Sequence, residues 1–214
     1  MKTLFIALAM VFSIQSQAQQ TTTFTIEGMT CGACANTATN ILRNLDGVDS
    51  AKVDFKTKQA IVIGTVTKSE IQNTIKEKTN FEALFDGDSL PEPLTEEEKK
   101  DLDIQTIKGG NKIDFKDHLS SGKITLFDFY ADWCGPCRVF SPKIEHYIKK
   151  NPNVALRKVD IVDWKSALSK QLTSDYKMPA LPFTLIFDDK GNLLGKVEGN
   201  DIEKVNQIIT QSKK

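Results

Sequence analysis

The 214-residue chain holds four cysteines, arranged as two Cys-x-x-Cys pairs. Cys31 and Cys34 lie in "GMTCGAC", Cys134 and Cys137 in "WCGPC", and 99 residues separate Cys34 from Cys134. This spacing constrains the fold more than any other feature. A four-cysteine zinc site normally keeps its halves about 15–20 residues apart, so a shared metal would require two units to dock. A structural disulfide framework is another option in an exported chain, and four cysteines admit three pairings. Otherwise each pair belongs to its own domain and its own chemistry.

Residues 1–18 have the pattern of an export signal. Lys2 gives a charged start, "LFIALAMVFSI" (4–14) a short apolar run, and Ser16-Gln17-Ala18 a small-x-small cleavage site. The run is shorter than the roughly 20 residues of a membrane span. An uncleaved N-terminal anchor is the alternative reading, and no cysteine follows the cleavage site to carry a lipid. The mature chain is therefore expected to begin near Gln19 and to work outside the cytoplasm, in the periplasm. At about 195 residues it has room for two domains. Its 28 basic and 28 acidic residues balance, which argues against a nucleic-acid or anionic-membrane surface. No second apolar stretch has membrane length.

Residues 19–86 are expected to form one domain. Thr23–Glu27 alternates as a half-buried strand does. Ala38, Ile41, Leu42 and Leu45 recur at helical spacing up to Asp46-Gly47. Strands follow at Val48–Phe55 and Gln59–Ile63, then a helix capped by Ser69 and carrying Ile71 and Ile75, then a short strand at Phe81–Phe85. The order βαββαβ implies a ferredoxin-like sandwich, with two helices on one face of an antiparallel sheet. Residues 87–103 are polar, hold two prolines and form a linker. Thr95 and Glu98 make a capping-box pattern within it, whereas a flexible coil there would span ~23 Å. Residues 104–214 are expected to form the second domain, an α/β sheet of mixed strand direction. "ITLFDFY" (124–130) is a nearly continuous apolar run, as in a strand buried on both faces. Helices are expected after the second cysteine pair, at Trp164–Gln171 and at Asp201–Gln211, with strands at 154–159, 183–187 and 193–198.

A cysteine at a helix start faces unpaired N–H groups and the positive end of the dipole, and both stabilise a thiolate. Cys134 is thus the expected nucleophile and Cys137, one turn on, the resolving thiol. Asp128 lies on the apolar strand, and a buried carboxyl needs a partner or a proton; it is placed to exchange a proton with Cys137. "FDFYADWCGPC" (127–137) resembles the active-site segment of thioredoxins. Pro142, "KVDI" (158–161), "LPFTLIF" (181–187) and Gly199 extend the resemblance over about 105 residues. It implies a thioredoxin-like fold, a redox-active disulfide Cys134–Cys137, Asp128 as buried acid with Lys158 near it, Trp133 before the pair, and Pro182 as a cis-proline. Phe183 and the irregular stretch 162–180 depart from the family pattern, at the surface that chooses clients.

"GMTCGAC" sets two soft thiolates at a helix start with Thr30, not an acid, before them. That donor set suits two-coordinate Cu(I), or another soft ion, over Zn(II). With "LRNLDGVDSAKVDF" (42–55) and the βαββαβ order, it resembles the heavy-metal-associated domain of copper chaperones and metal-transporting ATPases. The resemblance implies Cys31 and Cys34 as metal ligands and Met29 packed beneath the loop. Phe81 falls where the family often has an aromatic near the metal, and Asn80 stands where the family usually has glycine. His118, His146 and Met178 are expected to be surface or packing residues.

Together these features predict an exported thiol–disulfide oxidoreductase with an attached Cu(I)-binding module, a reductase by the resemblance of its Gly135-Pro136 spacer to that of reducing thioredoxins. Its partners would be protein thiols and disulfides, a copper protein's cysteines among them, and a membrane-bound reductant. Exchange with Cys31 and Cys34 of the same chain is a further possibility. The alternatives are a copper chaperone whose redox turnover is secondary, and a metal-free relay between the two pairs.

Overall fold

The computed structural model of the protein describes residues 19–212; the expected export signal lies outside the described residues. Two sheets organise the chain. The first has strands β1 (Gln20–Glu27), β2 (Val48–Val53), β3 (Gln59–Gly64) and β4 (Glu82–Leu84), antiparallel in the order β2-β3-β1-β4. Helices α1 (Gly32–Arg43) and α2 (Lys68–Thr79) contact this sheet and each other. Alternation along β1 sends Phe24 and Ile26 into a core shared with Leu42, Val62, Ile71 and Ile75. This is the ferredoxin-like arrangement anticipated from the sequence.

One detail differs. Helix α2 is capped by Thr67, not Ser69: the Thr67 hydroxyl accepts from the Glu70 amide, and the Glu70 carboxylate accepts back from the Thr67 amide. Thr67 wins because Glu70 stands three residues after it, the spacing that satisfies two orphan donors at once.

Residues 86–103 do not form a free coil. The capping box at Thr95 opens the short helix α3 (Glu96–Lys99), Leu94 is buried, and the His146 ring bonds the Glu92 carbonyl at 2.9 Å. Lys149 pairs with Glu98 at 2.8 Å. Asp88 is still fastened to the first domain, accepting from Gln72 and from the Phe85 amide; from Glu92 onward the segment lies along the second domain, and His146 is half-buried rather than freely solvated.

The second sheet contains β5 (Ile104–Ile107), β6 (Ile124–Tyr130), β7 (Val154–Asp160), β8 (Phe183–Phe187) and β9 (Leu193–Glu198), in the order β5-β7-β6-β8-β9. Strands β5, β7 and β6 run parallel, β8 is antiparallel to β6, and β9 is antiparallel to β8. Central β6 has a core on each face: Phe127 and Phe129 on one, Leu126 with Phe140, Ile144 and Val205 on the other. This explains its unbroken apolar run. Helix α4 (Gly135–Lys150) follows β6, then α5 (Ala167–Tyr176) and α6 (Ile202–Gln211). Strand β5 was not anticipated, being four residues at a sheet edge without alternation. Helix α5 starts three residues later than expected because Ser166 caps it, accepting from the Ser169 amide. No helix among the described residues is long and apolar enough to cross a membrane.

Candidate functional site

Strand β6 ends at Tyr130 and the chain turns through 131–134 into α4, so Cys134 sits at the helix N-cap. Its Sγ accepts from the Cys137 amide at 3.2 Å, one of the donors a helix start leaves unpaired. Cys134 and Cys137 are joined as a disulfide with Cα atoms 5.3 Å apart. Pro136 at the second helical position lacks an N–H that would be unpaired there anyway.

Asp128 is on β6, 2% exposed, and its Oδ1 has no hydrogen-bond partner among the described residues. Burial pushes its carboxyl up to about 7; the charge of Lys158 pulls the other way and that of Glu145 adds to the rise. Lys158 is directly across from Asp128 in the β6–β7 register. Its Nζ bonds instead to Glu145 Oε1 and Ser141 Oγ, each at 2.6 Å. Glu145, itself buried, also meets Lys99 at 3.3 Å. Asp128 and Cys137 line one groove of about 190 Å³, together with Ser141 and Lys158. A buried acid near neutrality beside the second cysteine can take a thiol proton and return it. Glu145 went unrecognised in the sequence because a lone acid in an amphipathic helix reads as surface. Its spacing of four from Ser141 was the one available signal.

Trp133 is 45% exposed. Its indole N–H donates to the Val162 carbonyl at 2.8 Å, and its ring lies 5.7 Å from that of Trp164. Val162 has φ 64°, a left-handed conformation costly for a β-branched residue. The Asp160 carboxylate, accepting from the Val162 amide at 2.8 Å, holds it there. Pro182 is cis, and its carbonyl accepts from the Gly199 amide at 2.9 Å. The structure thus gathers Cys134, Cys137, Asp128, Lys158, Trp133 and Pro182 around one end of the second sheet.

Cys31 and Cys34 form a separate site in the first domain. Cys31 is the N-cap of α1, exposed and in extended backbone, with no side-chain cap bond. Both are free thiols, their sulfurs 2.9 Å apart, and the Thr30 hydroxyl lies 3.7 Å from Cys34 Sγ. Burial works to raise the Cys34 thiol, but hydrogen bonds from Cys31 and from the backbone and hydroxyl of Thr30 outweigh it and hold the thiol below its usual value. Met29 is buried in the core beneath the loop. No group of three or more His, Cys, Asp or Glu side chains that could hold a metal ion occurs among the described residues. The donor set is therefore two thiols without a carboxylate or imidazole, which fits a soft ion of low coordination number.

A model of the heavy-metal-associated domain matches residues 23–82, and a thioredoxin model matches residues 106–211. "Thioredoxin-2" of Pyricularia oryzae is 37% identical over 100 residues, 47% of this chain and 55% of that protein. A "Thioredoxin H-type" of Fagopyrum esculentum is 34% identical over 109 residues, covering 51% of this chain and 81% of that one. Among solved structures, a copper form of a CopA variant from Bacillus subtilis is 29% identical and covers 34% of this chain and 97% of its own, with a TM-score of 0.31.

Proposed function

The chain belongs to the thioredoxin family and carries a heavy-metal-associated domain ahead of its thioredoxin domain; on that premise we propose that it is an exported thiol–disulfide reductase whose first domain holds Cu(I). The observation that carries the redox half is the placement of Cys134 at the start of α4, with Cys137 and Asp128 lining one groove. In the reduced chain the Cys134 thiolate attacks one sulfur of a client disulfide. A mixed disulfide forms and the other client sulfur leaves as a thiolate. Asp128 accepts the Cys137 proton, and the Cys137 thiolate attacks Cys134 Sγ. The second client thiol is released and the Cys134–Cys137 disulfide closes. Two electrons have passed to the client, and a membrane-bound reductant restores the dithiol. Lys158 and Glu145 set the charge around Asp128, Trp133 borders the site, and Pro182 presents backbone to the client.

Cys31 and Cys34 would hold Cu(I) as cargo between two thiolates, and the absence of an acid at Thr30 supports a soft ion. A client cysteine pair awaiting copper, or Cys31 and Cys34 themselves, would be natural substrates for reduction outside the cytoplasm. The pattern in residues 1–18 supports export to the periplasm. The exposure of Cys31 favours one second reading, a copper chaperone with secondary redox turnover.

Disulfide reduction of insulin, followed as turbidity, tests the first reading. Cys134→Ser should abolish it, and activity that survives would overturn the assignment. Cys137→Ser should instead accumulate the mixed disulfide. Cys31→Ser with Cys34→Ser should lose one Cu(I) held against a chelator while leaving insulin reduction in place.

A further inference from the structure

The two domains meet on one face, and on the second domain that face surrounds the cysteine pair. Gly28 and Thr30, which lead into Cys31, rest on Gly135 in the turn between Cys134 and Cys137. A Cβ on Gly135 would stand 2.0 Å from the Gly28 carbonyl oxygen and 2.7 Å from Thr30 Cγ2. A second contact lies at the cis-proline loop. The Asn80 side chain covers Gly199, where a Cβ would meet Asn80 Oδ1 at 2.1 Å, and Gly199 is the residue bonded to the Pro182 carbonyl. Asn80, the residue that departs from the family's glycine, keeps a left-handed φ of 61° and adds a side chain that reaches the other domain.

Between these two seats is a polar clamp. Glu82 Oε1 accepts from Lys143 Nζ at 2.5 Å and from Asn200 Nδ2 at 2.8 Å. The Glu82 and Lys143 side chains are each only 17% exposed, and Asn200 is buried. Lys76 and Glu203 pair at 3.1 Å nearby. With this face covered, Cys134 is 4% exposed, while Cys31 remains exposed.

We propose that the heavy-metal-associated domain is the resident occupant of the face by which a client reaches Cys134, so that the docked chain is capped at its redox site and opens when the Glu82 clamp releases. A client backbone must approach the Cys134–Pro136 turn and the cis-proline loop together, and Gly28, Thr30 and Asn80 hold both. Each apolar core cluster is confined to one domain. The contact is made of glycines, amides and ion pairs, a composition typical of interfaces that open. The closed arrangement shields one cysteine pair while presenting the other.

The inference rests on Cys134 being the nucleophile proposed above, so the test separates the two. The full chain is reduced in a Cys31→Ser, Cys34→Ser background, and alkylation of Cys134 is timed with iodoacetamide and with a bulky polyethylene-glycol maleimide. Lys143→Glu, which loses one charge-assisted hydrogen bond, should raise the bulky-to-small rate ratio about tenfold, and Glu82→Lys, which loses two, should raise it further. The double exchange should restore the ratio to within about threefold of the parent, since Asn200 Oδ1, unpartnered among the described residues, can accept from a lysine at 82. Gly135→Ala, at a position without positive φ, should raise the ratio on steric grounds even if a charge variant folds poorly. Carbodiimide coupling of the unsubstituted chain should join Glu82 to Lys143. An unchanged ratio in folded variants, or no such crosslink, would overturn the cap. Slow iodoacetamide reaction in every form would count against the nucleophile, while the ratio would still report on the cap.

Discussion

Asp128 is held inside a sheet with one carboxylate oxygen unpartnered among the described residues, and its proton is the chain's most consequential titration. In the unfolded chain the carboxyl ionises near its ordinary 3.8, whereas in the fold burial pushes it up to about 7. Between those values the unfolded chain has lost a proton that the folded chain retains. Stability therefore falls as pH rises through that window and levels off above it. The difference amounts to roughly 4 kcal/mol at about 1.4 kcal/mol per unit. Asp128→Asn should be more stable than the parent by a few kcal/mol at pH 8 and close to it at pH 4, as read from urea unfolding, while resolution of mixed disulfides slows. Glu145→Gln should move the Asp128 titration to lower pH, because it removes a nearby negative charge and leaves Lys158 without its partner. Carboxyl NMR checks this, and an unmoved titration would refute the coupling.

Among the secondary elements, helix starts decide most of what is local. Thr67→Ala should cost about 1 kcal/mol of stability in the first domain, whereas Ser69→Ala should be neutral or gain a few tenths of a kcal/mol, since Ser69 lies within the helix and makes no cap bond. Equal losses in chemical denaturation would show that the cap is wrongly placed. The elements readable from the sequence are those whose pattern is self-contained. The apolar run of β6 needs burial on both faces, and each Cys-x-x-Cys precedes a run with helical periodicity. Strand β5 was missed because an edge strand of four residues gets its bonds from β7 alone. Helix α5 was shifted because Trp164 reads as a helix residue, yet the Asp163 carboxylate ties up the Lys165 amide ahead of the Ser166 cap.

Across the whole molecule, the domains are linked by the polar contacts of Glu82 and by the seating of Gly28 and Thr30 on Gly135 and of Asn80 on Gly199, with the chain from Glu92 laid along the second domain rather than free. Losing the Glu82 bonds should weaken the coupling by about 1.5–3 kcal/mol for each charged hydrogen bond. Calorimetry of the full chain should then show a shared transition that Glu82→Lys splits, with the first domain melting earlier. A single unaltered transition in the folded variant would mean that the domains do not support one another.

The sequence by itself determined the two domains, their fold classes and the place of each cysteine pair at a helix start. These follow from hydrophobic period and from the residues immediately flanking each helix start, which are local properties. Tertiary structure decided what depends on distant residues meeting. Burial of Glu145 against Lys158 comes from α4 crossing β7, and no spacing records it. The seating of Gly28 on Gly135 and of Asn80 on Gly199 joins surfaces that each look solvated alone. Whether an exposed-looking polar residue faces water or another domain is settled only by desolvation and pairing in the assembled chain.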